Sequence, residues 1–444
     1  MSLLIKNVRI LDPASGIDGQ MDVLVEGSKI AEIRQGIPES KVGWNGPKGE
    51  PKDPAHLSGG VIDGTGKVLV PGLIDMHCHL REPGFEYKET IESGSKAGAA
   101  GGYTSLVCMA NTLPVNDTRA VTDYILRQAR ERALTNIFPV GAVTKELKGE
   151  SLAEIGELRD AGVVALSDDG KPLMNAGLLR RALEYASSFG LTIISHCEDL
   201  NLVGQGVMNE GFVSTTLGLR GTPNAAEEVM ILRDITLAEL TGASLHIAHV
   251  STAGSVRAIR EAKARGVQVT AETAPHYFAL TDEAVRGFDP NTKMNPPLRT
   301  AKDVAAVIVG LKDGTLDAIA TDHAPQTAIE KDVEFEYAAN GIIGLETALP
   351  LTLKLVHEGH LTLMEAIEKF TLKPARILGL SKGELKVGAD ADLTLIDLNR
   401  KQTIEVSKFK SKSRNSPFQG WELKGFAVLT IVAGRIVHRV LDLS

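Results

Sequence analysis

Both ends of the chain carry short apolar runs in which hydrophobic and polar positions alternate. The N-terminal runs are LLIKNVRIL and MDVLVEGSKIAEI, and the C-terminal ones are ADADLTLIDL, GFAVLTIVAG and RIVHR. Short alternating runs bounded by turn residues predict antiparallel strands. We therefore expect residues 1–67 and 381–444 to form one small composite β-sandwich domain.

The middle of the chain, residues 68–380, has a different pattern. Eight short apolar runs end in polar residues: VLVPGLIDMHCH, TSLVCMAN, NIFPVGAV, GVVALSDD, TIISHCED, SLHIAHVS, VQVTAETAPH and LDAIATDHAP. Helix-like segments such as GLLRRALEYASSFG separate most of these runs, which predicts parallel strands buried on both faces. Eight such units fit an α/β fold, a (β/α)₈ barrel of roughly 250 residues. An open doubly wound sheet is the alternative, but no Gly-rich nucleotide fingerprint follows the first strand.

Composition narrows the functional classes. The 444 residues are 43% hydrophobic and carry a net charge of −8, which argues against a nucleic-acid-binding surface. We find no apolar run of about 18 residues and no signal-peptide pattern, so we expect no membrane span. Three widely spaced cysteines favour a reducing, cytoplasmic location over a disulfide framework. Residues 37–60, rich in Pro, Gly and Lys, are expected to form an exposed loop.

Polar side chains gather where the predicted barrel strands end. In a (β/α)₈ barrel all the carboxyl ends of the strands meet at one mouth. Six of the eleven histidines lie at such ends, and this clustering is the strongest functional signal of the sequence. The residues at these ends are His77, His79, Asn111, Asp168, Asp169, His196, His249, His276, Asp322 and His323.

Imidazole and carboxylate groups of this kind are ligands for Zn²⁺ and related divalent metals. His77 and His79 are two residues apart, so in a strand both point to one face while Cys78 points away. A His-x-His pair alone is weak evidence, and single histidines such as His196 and His249 are also found as ordinary core residues. Their combination with Asp322 nevertheless predicts a metal site, whereas alternation assigns His246 a structural role.

Such a site indicates hydrolysis. A bound metal lowers the pKa of water from 15.7 to about 7 and polarises a carbonyl, so hydroxide is available at neutral pH. Asp322 would take the proton of that water and pass it to a leaving nitrogen. The serine-centred elbow G-x-S-x-G, which would indicate a competing mechanism, is absent from the sequence.

Five segments, PGLIDMHCHLREPG, SHCED, HVST, KMNPPLR and ATDHAP, resemble the cyclic amidohydrolase superfamily and, within it, the bacterial class I dihydroorotases. The resemblance implies a metal-dependent hydrolase barrel with a small β domain, and one or two Zn²⁺ ions. It places His77 and His79 on the first ion, and His196 and His249 on the second. An aspartate of ALSDDG would bridge them; alternation and the spacing to SHCED favour Asp169 over Asp168.

The same resemblance assigns substrate contacts. Arg81 would hold the dihydroorotate carboxylate in a bidentate pair. His79, Asn111, Asn295 and the backbone around Asn340 and Gly341 match positions that contact substrate, and Asp322 matches the metal-contacting general base. The sequence departs from the family pattern where Gln326 replaces a substrate-contacting histidine and Ala110 replaces a proline. The insertion around residues 40–60 is longer than expected.

Three functions remain open on the sequence. The first is zinc-dependent, reversible cyclisation of N-carbamoyl-L-aspartate to L-dihydroorotate in pyrimidine synthesis. The second is a related cyclic-amide hydrolase such as an allantoinase or hydantoinase, which Arg81 and KMNPPLR disfavour. The third is a non-catalytic partner of aspartate carbamoyltransferase, for which loss of metal ligands is expected. A small-molecule substrate and a homo-oligomer, with possible association with that transferase, are the expected partners.

Overall fold

The computed structural model describes residues 2–42 and 60–440, so most of the predicted loop and insertion lies outside the described residues. The strands are β1 Ser2–Asp12, β2 Ile17–Glu26, β3 Lys29–Arg34, β4 Gly60–Asp63, β5 Val68–Pro71, β6 Leu73–Cys78, β7 Tyr103–Cys108, β8 Asn136–Gly141, β9 Ala165–Leu166, β10 Thr192–Ser195, β11 Met208–Asn209, β12 Gly221–Thr222, β13 Leu245–Ile247, β14 Val269–Thr273, β15 Ala318–Ile319, β16 Leu393–Thr403, β17 Glu422–Val432 and β18 Arg435–Arg439. The α-helices are α1 Ile91–Gly101, α2 Arg119–Arg132, α3 Ile155–Ala161, α4 Ala176–Ser187, α5 Leu200–Val203, α6 Phe212–Leu217, α7 Ala225–Thr241, α8 Ala253–Ala264, α9 His276–Ala279, α10 Ala301–Lys312, α11 Ala328–Lys331, α12 Ala348–His357, α13 Leu363–Glu368 and α14 Leu372–Ile377. In this part of the chain no helix is both long and apolar enough to cross a bilayer.

The two ends of the chain share one sheet. Its strand order is β18-β17-β16-β5-β1-β2-β3, with β4 beside β1. Strand β5 joins the two halves, because it pairs in parallel with β1 and antiparallel with β16. Buried aliphatic side chains from both ends, such as Ile5 and Leu395, form one hydrophobic core. The prediction of a β domain built from both termini is thereby confirmed, while its exact boundaries stay a prediction.

Eight parallel strands form the second sheet, in the order β6-β7-β8-β9-β10-β13-β14-β15. The first and last strands of this sheet meet at their carboxyl ends. Cys78, the last residue of β6, forms a parallel bridge with His323, and the His79 amide donates to the His323 carbonyl at 2.9 Å. The sheet is therefore a nearly closed barrel, which confirms the (β/α)₈ prediction and excludes the doubly wound alternative.

The barrel is filled with side chains and is surrounded by helices. Met76, Val107, Val140, Ile194 and Ala318 come from five different strands and belong to one buried apolar cluster. A cluster shared around the sheet in this way fills the inside of the barrel. A larger cluster packs the outer faces of the strands against the helices, and Cys78 belongs to it. The polar mouth consequently rests on a close-packed apolar floor.

Local sequence explains how each unit returns the chain to the start of the next strand. At α1 the Thr90 hydroxyl accepts from the Ser93 amide, and the Ser93 hydroxyl accepts from the Thr90 amide, both at 3.0 Å. This capping box fixes the helix start. The helix ends at Gly102, whose φ of 93° is left-handed and suits glycine. Strand β7 follows at once, parallel to β6.

A buried carboxylate joins the two ends of the barrel beneath the mouth. Asp75 of β6 accepts hydrogen bonds from the Thr321 amide at 2.9 Å and from the Thr321 hydroxyl at 2.5 Å. Both residues are completely buried. Burial raises the pKa of Asp75 to about 7, although the bonds from Thr321 oppose that shift. The carboxylate thus depends on Thr321 for its hydrogen bonds.

We predict that Thr321→Val destabilises the fold by about 1–3 kcal/mol, because it leaves a buried carboxylate without its hydroxyl donor. The matched control is Thr352→Val. Thr352 is equally buried, but its hydroxyl has no hydrogen-bond partner among the described residues, so its removal should be neutral or stabilising. Thermal and urea unfolding of the two variants measure the difference. Equal stability of the two would contradict a role for Thr321 in closing the barrel.

Candidate active site

The carboxyl ends of the barrel strands surround a cavity of about 200 Å³. Its lining contains ten of the twelve residues predicted from the sequence to form the site: His79, Arg81, Asn111, Asp169, His196, His249, Asn295, Asp322, Asn340 and Gly341. His77 lies beside them, fully buried and in contact with Asp169. Gln326 lines a neighbouring pocket instead. Eleven predicted residues thus meet at one place although they are spread over more than half of the chain.

Asp169 lies at the centre of the site. Its carboxylate faces four histidine rings: the Oδ1 atom is 3.4 Å from His77 Nε2, 3.3 Å from His196 Nδ1 and 3.5 Å from His249 Nε2. The Oδ2 atom is 3.5 Å from His79 Nε2. Two groups with metal-ligand spacing result, one of Asp169 with His77 and His79, the other of Asp169 with His196 and His249.

The donor set fits divalent cations. His77 Nε2 and Asp169 Oδ1 are buried and 3.4 Å apart, yet neither has a hydrogen-bond partner among the described residues. Buried polar atoms normally have a partner, so two unpaired ones that face each other indicate a missing ligand. Imidazole nitrogens and a shared carboxylate suit Zn²⁺ or a similar metal. The two groups leave room for one ion each, with Asp169 common to both.

The charges around Asp169 favour cation binding. Burial would raise the pKa of the Asp169 carboxyl, but His77 and the other imidazoles hold it well below its usual range. For the imidazole of His196 burial acts in the other direction and would lower the pKa, but Asp169 and Glu198 raise it to about 10. The ionised carboxylates therefore favour the protonated forms of His77 and His196. A metal cation would take the place of those protons, since it neutralises the same carboxylates.

Asp322 borders the same group from the last barrel strand. Its Oδ1 atom is 3.2 Å from His79 Nε2 and 3.6 Å from His77 Nε2. Burial would raise the pKa of Asp322, but the bond with His79 and the charges of the histidines lower it to about 2. Its backbone φ of 45° is left-handed, which is uncommon outside glycine and is one of the strained conformations found at functional sites. Asp322 is thus an ionised base at the cavity wall.

The neighbouring aspartate has a different role. The Asp168 carboxylate accepts hydrogen bonds from the Val143 amide at 2.7 Å, the Thr144 amide at 3.0 Å and the Thr144 hydroxyl. It therefore fixes the loop after β8 and faces away from the histidines. Both aspartates lie in the loop that follows β9, where these hydrogen bonds direct Asp168 to the loop after β8 and only Asp169 reaches the centre.

A glutamate that sequence reasoning missed orients His77. Glu272 Oε1 is 2.7 Å from His77 Nδ1, and Glu272 Oε2 is 3.3 Å from His246 Nε2. His246 Nδ1 lies 2.8 Å from the Thr270 hydroxyl. Because an ionised carboxylate only accepts, it holds the proton on His77 Nδ1 and leaves Nε2 free for a ligand. The sequence feature that could have indicated this orienting role is an acidic residue inside the apolar strand VQVTAET.

A second missed glutamate supports His196. Glu198 Oε2 is 3.2 Å from His196 Nε2, while the other ring nitrogen of His196 faces Asp169 and is 2.8 Å from His249 Nε2. The segment SHCED thus contributes a candidate ligand and its carboxylate partner on one short loop. By contrast, Cys197 between them is buried against Ser195 and Asp234, away from the cavity.

Arg81 and Asn111 border the cavity in different ways. Arg81 has a left-handed φ of 62°, and its Nε donates to the Pro325 carbonyl at 3.2 Å. Within residues 2–42 and 60–440, no group accepts a hydrogen bond from its two terminal nitrogens. The Asn111 amide is occupied by the site itself, since its oxygen is 2.9 Å from His79 Nδ1 and its nitrogen is 3.3 Å from Asp169 Oδ2. Arg81 therefore keeps free donors, whereas Asn111 orients two candidate ligands.

Gln326 does not enter the cavity. Its side-chain nitrogen donates to the Asn340 carbonyl at 2.8 Å, and its side-chain oxygen accepts from Lys88 at 2.8 Å. Both polar ends of the amide are thus engaged by protein groups. Gln326 was predicted to contact substrate, and in this structure it contacts the cavity only through the backbone of Asn340.

Sequence comparisons agree with this site. The family described as dihydro-orotase-like matches residues 66–255, and the one described as the amidohydrolase family matches residues 222–438. A dihydroorotase from Geobacter sp. (strain M21) is 57% identical over 439 residues, which are 99% of this chain and 100% of the relative. A dihydroorotase from Geobacter sulfurreducens is 58% identical over 438 residues, with 99% of each chain covered.

Solved structures with the same fold include two hydantoinases. The L-hydantoinase from Arthrobacter aurescens is 27% identical, with a TM-score of 0.85, and the match covers 100% of this chain and 97% of that one. The D-hydantoinase from Thermus sp. is also 27% identical, with a TM-score of 0.80, and the match covers 98% of this chain and 95% of that one. The barrel and the terminal sheet are therefore common to enzymes with different cyclic substrates.

We predict that Glu272→Gln weakens metal binding about 10- to 100-fold, because the amide no longer fixes the His77 tautomer. Chelator competition on metal-depleted protein that is reloaded with zinc measures the affinity. Glu89→Gln is the matched control, since Glu89 is as buried as Glu272 and pairs with His323 outside the cavity at 3.3 Å. An unchanged affinity in Glu272→Gln, or the same loss in both variants, would refute the orienting role of Glu272.

Proposed function

The chain belongs to the dihydroorotase family of cyclic amidohydrolases, and on that premise we propose that it interconverts N-carbamoyl-L-aspartate and L-dihydroorotate in pyrimidine synthesis. The observation that carries the proposal is Arg81. Its guanidinium borders the cavity beside Asp169 and Asp322, and its terminal nitrogens have no acceptor in the described part of the chain. A ring carboxylate on the substrate is the group that such a free guanidinium binds best.

We propose zinc as the cofactor, with one or two ions per chain. His77 and His79 would hold one ion, His196 and His249 the other, and Asp169 would contact both; Asp322 borders the first group. When bound, the metal supplies Lewis acidity, which lowers the pKa of water and polarises the amide carbonyl. The unpaired buried atoms of His77 and Asp169 support this assignment.

Asp322 is the residue that we assign to proton transfer. In ring opening it accepts the proton of the attacking water and delivers it to the ring nitrogen as the carbon–nitrogen bond breaks. In ring closure it takes the proton from the ureido nitrogen that attacks the carboxyl carbon, and delivers it to the departing hydroxide, which leaves as water. Its ionised state at neutral pH and its place on the cavity wall suit both directions.

Substrate orientation is assigned to other residues that line the cavity. Arg81 would bind the carboxylate, with Asn295 beside it, while the backbone of Asn340 and Gly341 would lie against the ring. Gly341 has a φ of 110°, and a Cβ there would lie 2.6 Å from the Ala324 Cβ, so only glycine fits this close approach. Gly341 thus packs directly against Ala324, another residue that lines the cavity.

Two other functions compete with this proposal. A hydantoinase-like activity is compatible with the shared fold, but hydantoins need not carry the carboxylate that Arg81 would bind. A non-catalytic partner of aspartate carbamoyltransferase is disfavoured because all six predicted metal-site residues are present and converge. A homo-oligomer, association with that transferase and a cytoplasmic location remain expectations of the sequence.

We predict that purified protein with bound zinc interconverts carbamoyl aspartate and dihydroorotate and has little activity on allantoin or hydantoin. Parallel assays with the three substrates, together with metal analysis of the same sample, test this. Removal of the metal by a chelator should abolish turnover, and added zinc should restore it. Activity on a hydantoin without activity on dihydroorotate would overturn the assignment.

We predict that Arg81→Ala raises the KM for dihydroorotate about 10- to 100-fold, in line with the loss of a charged hydrogen bond. Metal content should stay unchanged, because Arg81 contacts no candidate ligand through its terminal nitrogens. Arg260→Ala is the control, since Arg260 pairs with Asp313 on the surface. Unchanged kinetics in Arg81→Ala would refute the carboxylate assignment.

A further inference from the structure

Three consecutive backbone carbonyls beside the cavity are all bound by side chains from behind. The carbonyl of Ala339 accepts from Lys331 at 2.8 Å, and that of Asn340 accepts from Gln326 at 2.8 Å. The carbonyl of Gly341 accepts from Lys331 and from Asn415, each at 3.0 Å. We call these three side chains, Lys331, Gln326 and Asn415, the carbonyl clamp.

We propose that Lys331 is a positioning residue for substrate binding, which acts by holding residues 339–341 against the cavity. This inference rests on the proposed function, because it assigns the substrate contact to that segment. Lys331 itself does not line the cavity, whereas Asn340 and Gly341 do. Its effect on substrate therefore passes through the backbone that it binds.

The Lys331 ammonium is matched to its surroundings. Its three N–H groups meet three carbonyls, those of Ala339, Gly341 and Lys293, the last at 3.1 Å. A neutral amine has only two N–H groups, so loss of the charge would remove one of these three hydrogen bonds. The Ala339 carbonyl depends on Lys331 most, because the carbonyls of Gly341 and Lys293 each have a second donor. Lys331 is only 5% exposed, and no carboxylate is within ion-pair distance of its nitrogen in the described part of the chain. The charge is thus held by carbonyls alone.

The Lys331 Nζ atom connects two walls of the cavity. The Lys293 carbonyl accepts from Lys331 and also from the Gly341 amide at 3.0 Å. Asn295, another lining residue, lies two positions further along the same loop. Removing the ammonium would therefore loosen the Asn295 wall and the Gly341 wall together, which should weaken substrate binding more than it slows the chemical step.

The groups around Lys331 make its charge sensitive to pH. Burial, reinforced by the nearby Lys293 charge and opposed by Asp289, lowers the pKa of Lys331 to about 7. Asp332 lines the pocket behind it, together with Lys412 and Arg414. The ammonium is therefore mostly present at pH 6 and mostly lost at pH 9.

The test is the KM for dihydroorotate in Lys331→Met, measured with kcat and zinc content at pH 6 and pH 9. At pH 6 we expect the KM of the variant to be about tenfold or more above that of the wild-type protein. Its kcat should stay within threefold of the wild-type value, and its zinc content should be equal. The ratio of the two KM values should fall toward pH 9, because the unchanged chain then loses its ammonium as well.

Lys369→Met is the matched control. Lys369 is 4% exposed and donates to the Leu316 carbonyl at 2.8 Å, outside the cavity. It should lose stability as Lys331→Met does, with KM unchanged. An unchanged KM in Lys331→Met, or an equal rise in both variants, would overturn the proposal.

Hydrogen–deuterium exchange of the peptide covering residues 338–344 tests the clamp without substrate. The Gly341 and Ile343 amides donate to backbone carbonyls and should be protected. Lys331→Met and Asn415→Ala should speed their exchange at least about tenfold, whereas Lys369→Met should not. Unchanged exchange in both clamp variants would overturn the inference even if the dihydroorotate assay succeeds. Fast exchange with no turnover of dihydroorotate by the unchanged chain would instead refute only the proposed function.

Discussion

The buried carboxylate of Asp169 is the constraint on which the site depends. An ionised carboxylate with little access to water must be neutralised by nearby positive charge, and four histidine rings from three strand ends surround it. Those rings meet only if the barrel closes, which the bridge between Cys78 and His323 achieves. Closure of the fold and assembly of the metal-type donor set are therefore one event. The apolar floor of the barrel keeps water away and makes the charge balance strict.

Around this centre the structure has two kinds of support. Glu272 and Glu198 hold His77 and His196 from behind, so that one nitrogen of each ring faces the cavity. The remaining wall is backbone, held by the carbonyl clamp. On the proposed function, the first kind of support would govern how well a cation is bound and the second how a ring lies beside it. The two are built from different parts of the chain.

The sequence predicted the fold well because its pattern was regular. Eight apolar runs with polar ends required parallel strands, and parallel strands with polar carboxyl ends require a common mouth. The choice of Asp169 over Asp168 rested on strand alternation and the spacing to SHCED. In the structure both residues lie in the loop after β9, with Asp169 directed to the histidines and Asp168 to the loop after β8. Glu272 was missed because a single acidic residue in an apolar strand has no periodicity. Gln326 was assigned to substrate by its position in a motif, but hydrogen bonds from Lys88 and to Asn340, made across the fold, determine its orientation.

The contrast between a shared fold and variable loops bears on how one fold serves different cyclic amides. The hydantoinases share this fold at 27% identity, so the shared fold alone does not distinguish a hydantoinase from a dihydroorotase. Selection must come from the loops, where Arg81 offers a charge and residues 339–341 offer a shaped backbone. A shaped backbone needs rigid support. Part of it comes from the C-terminal segment, where Asn415, between β16 and β17, donates to the carbonyls of Ala324 and Gly341. On the proposed function, the connection between β16 and β17 therefore supports the substrate wall through Asn415, although the core of the terminal sheet lies apart from the cavity.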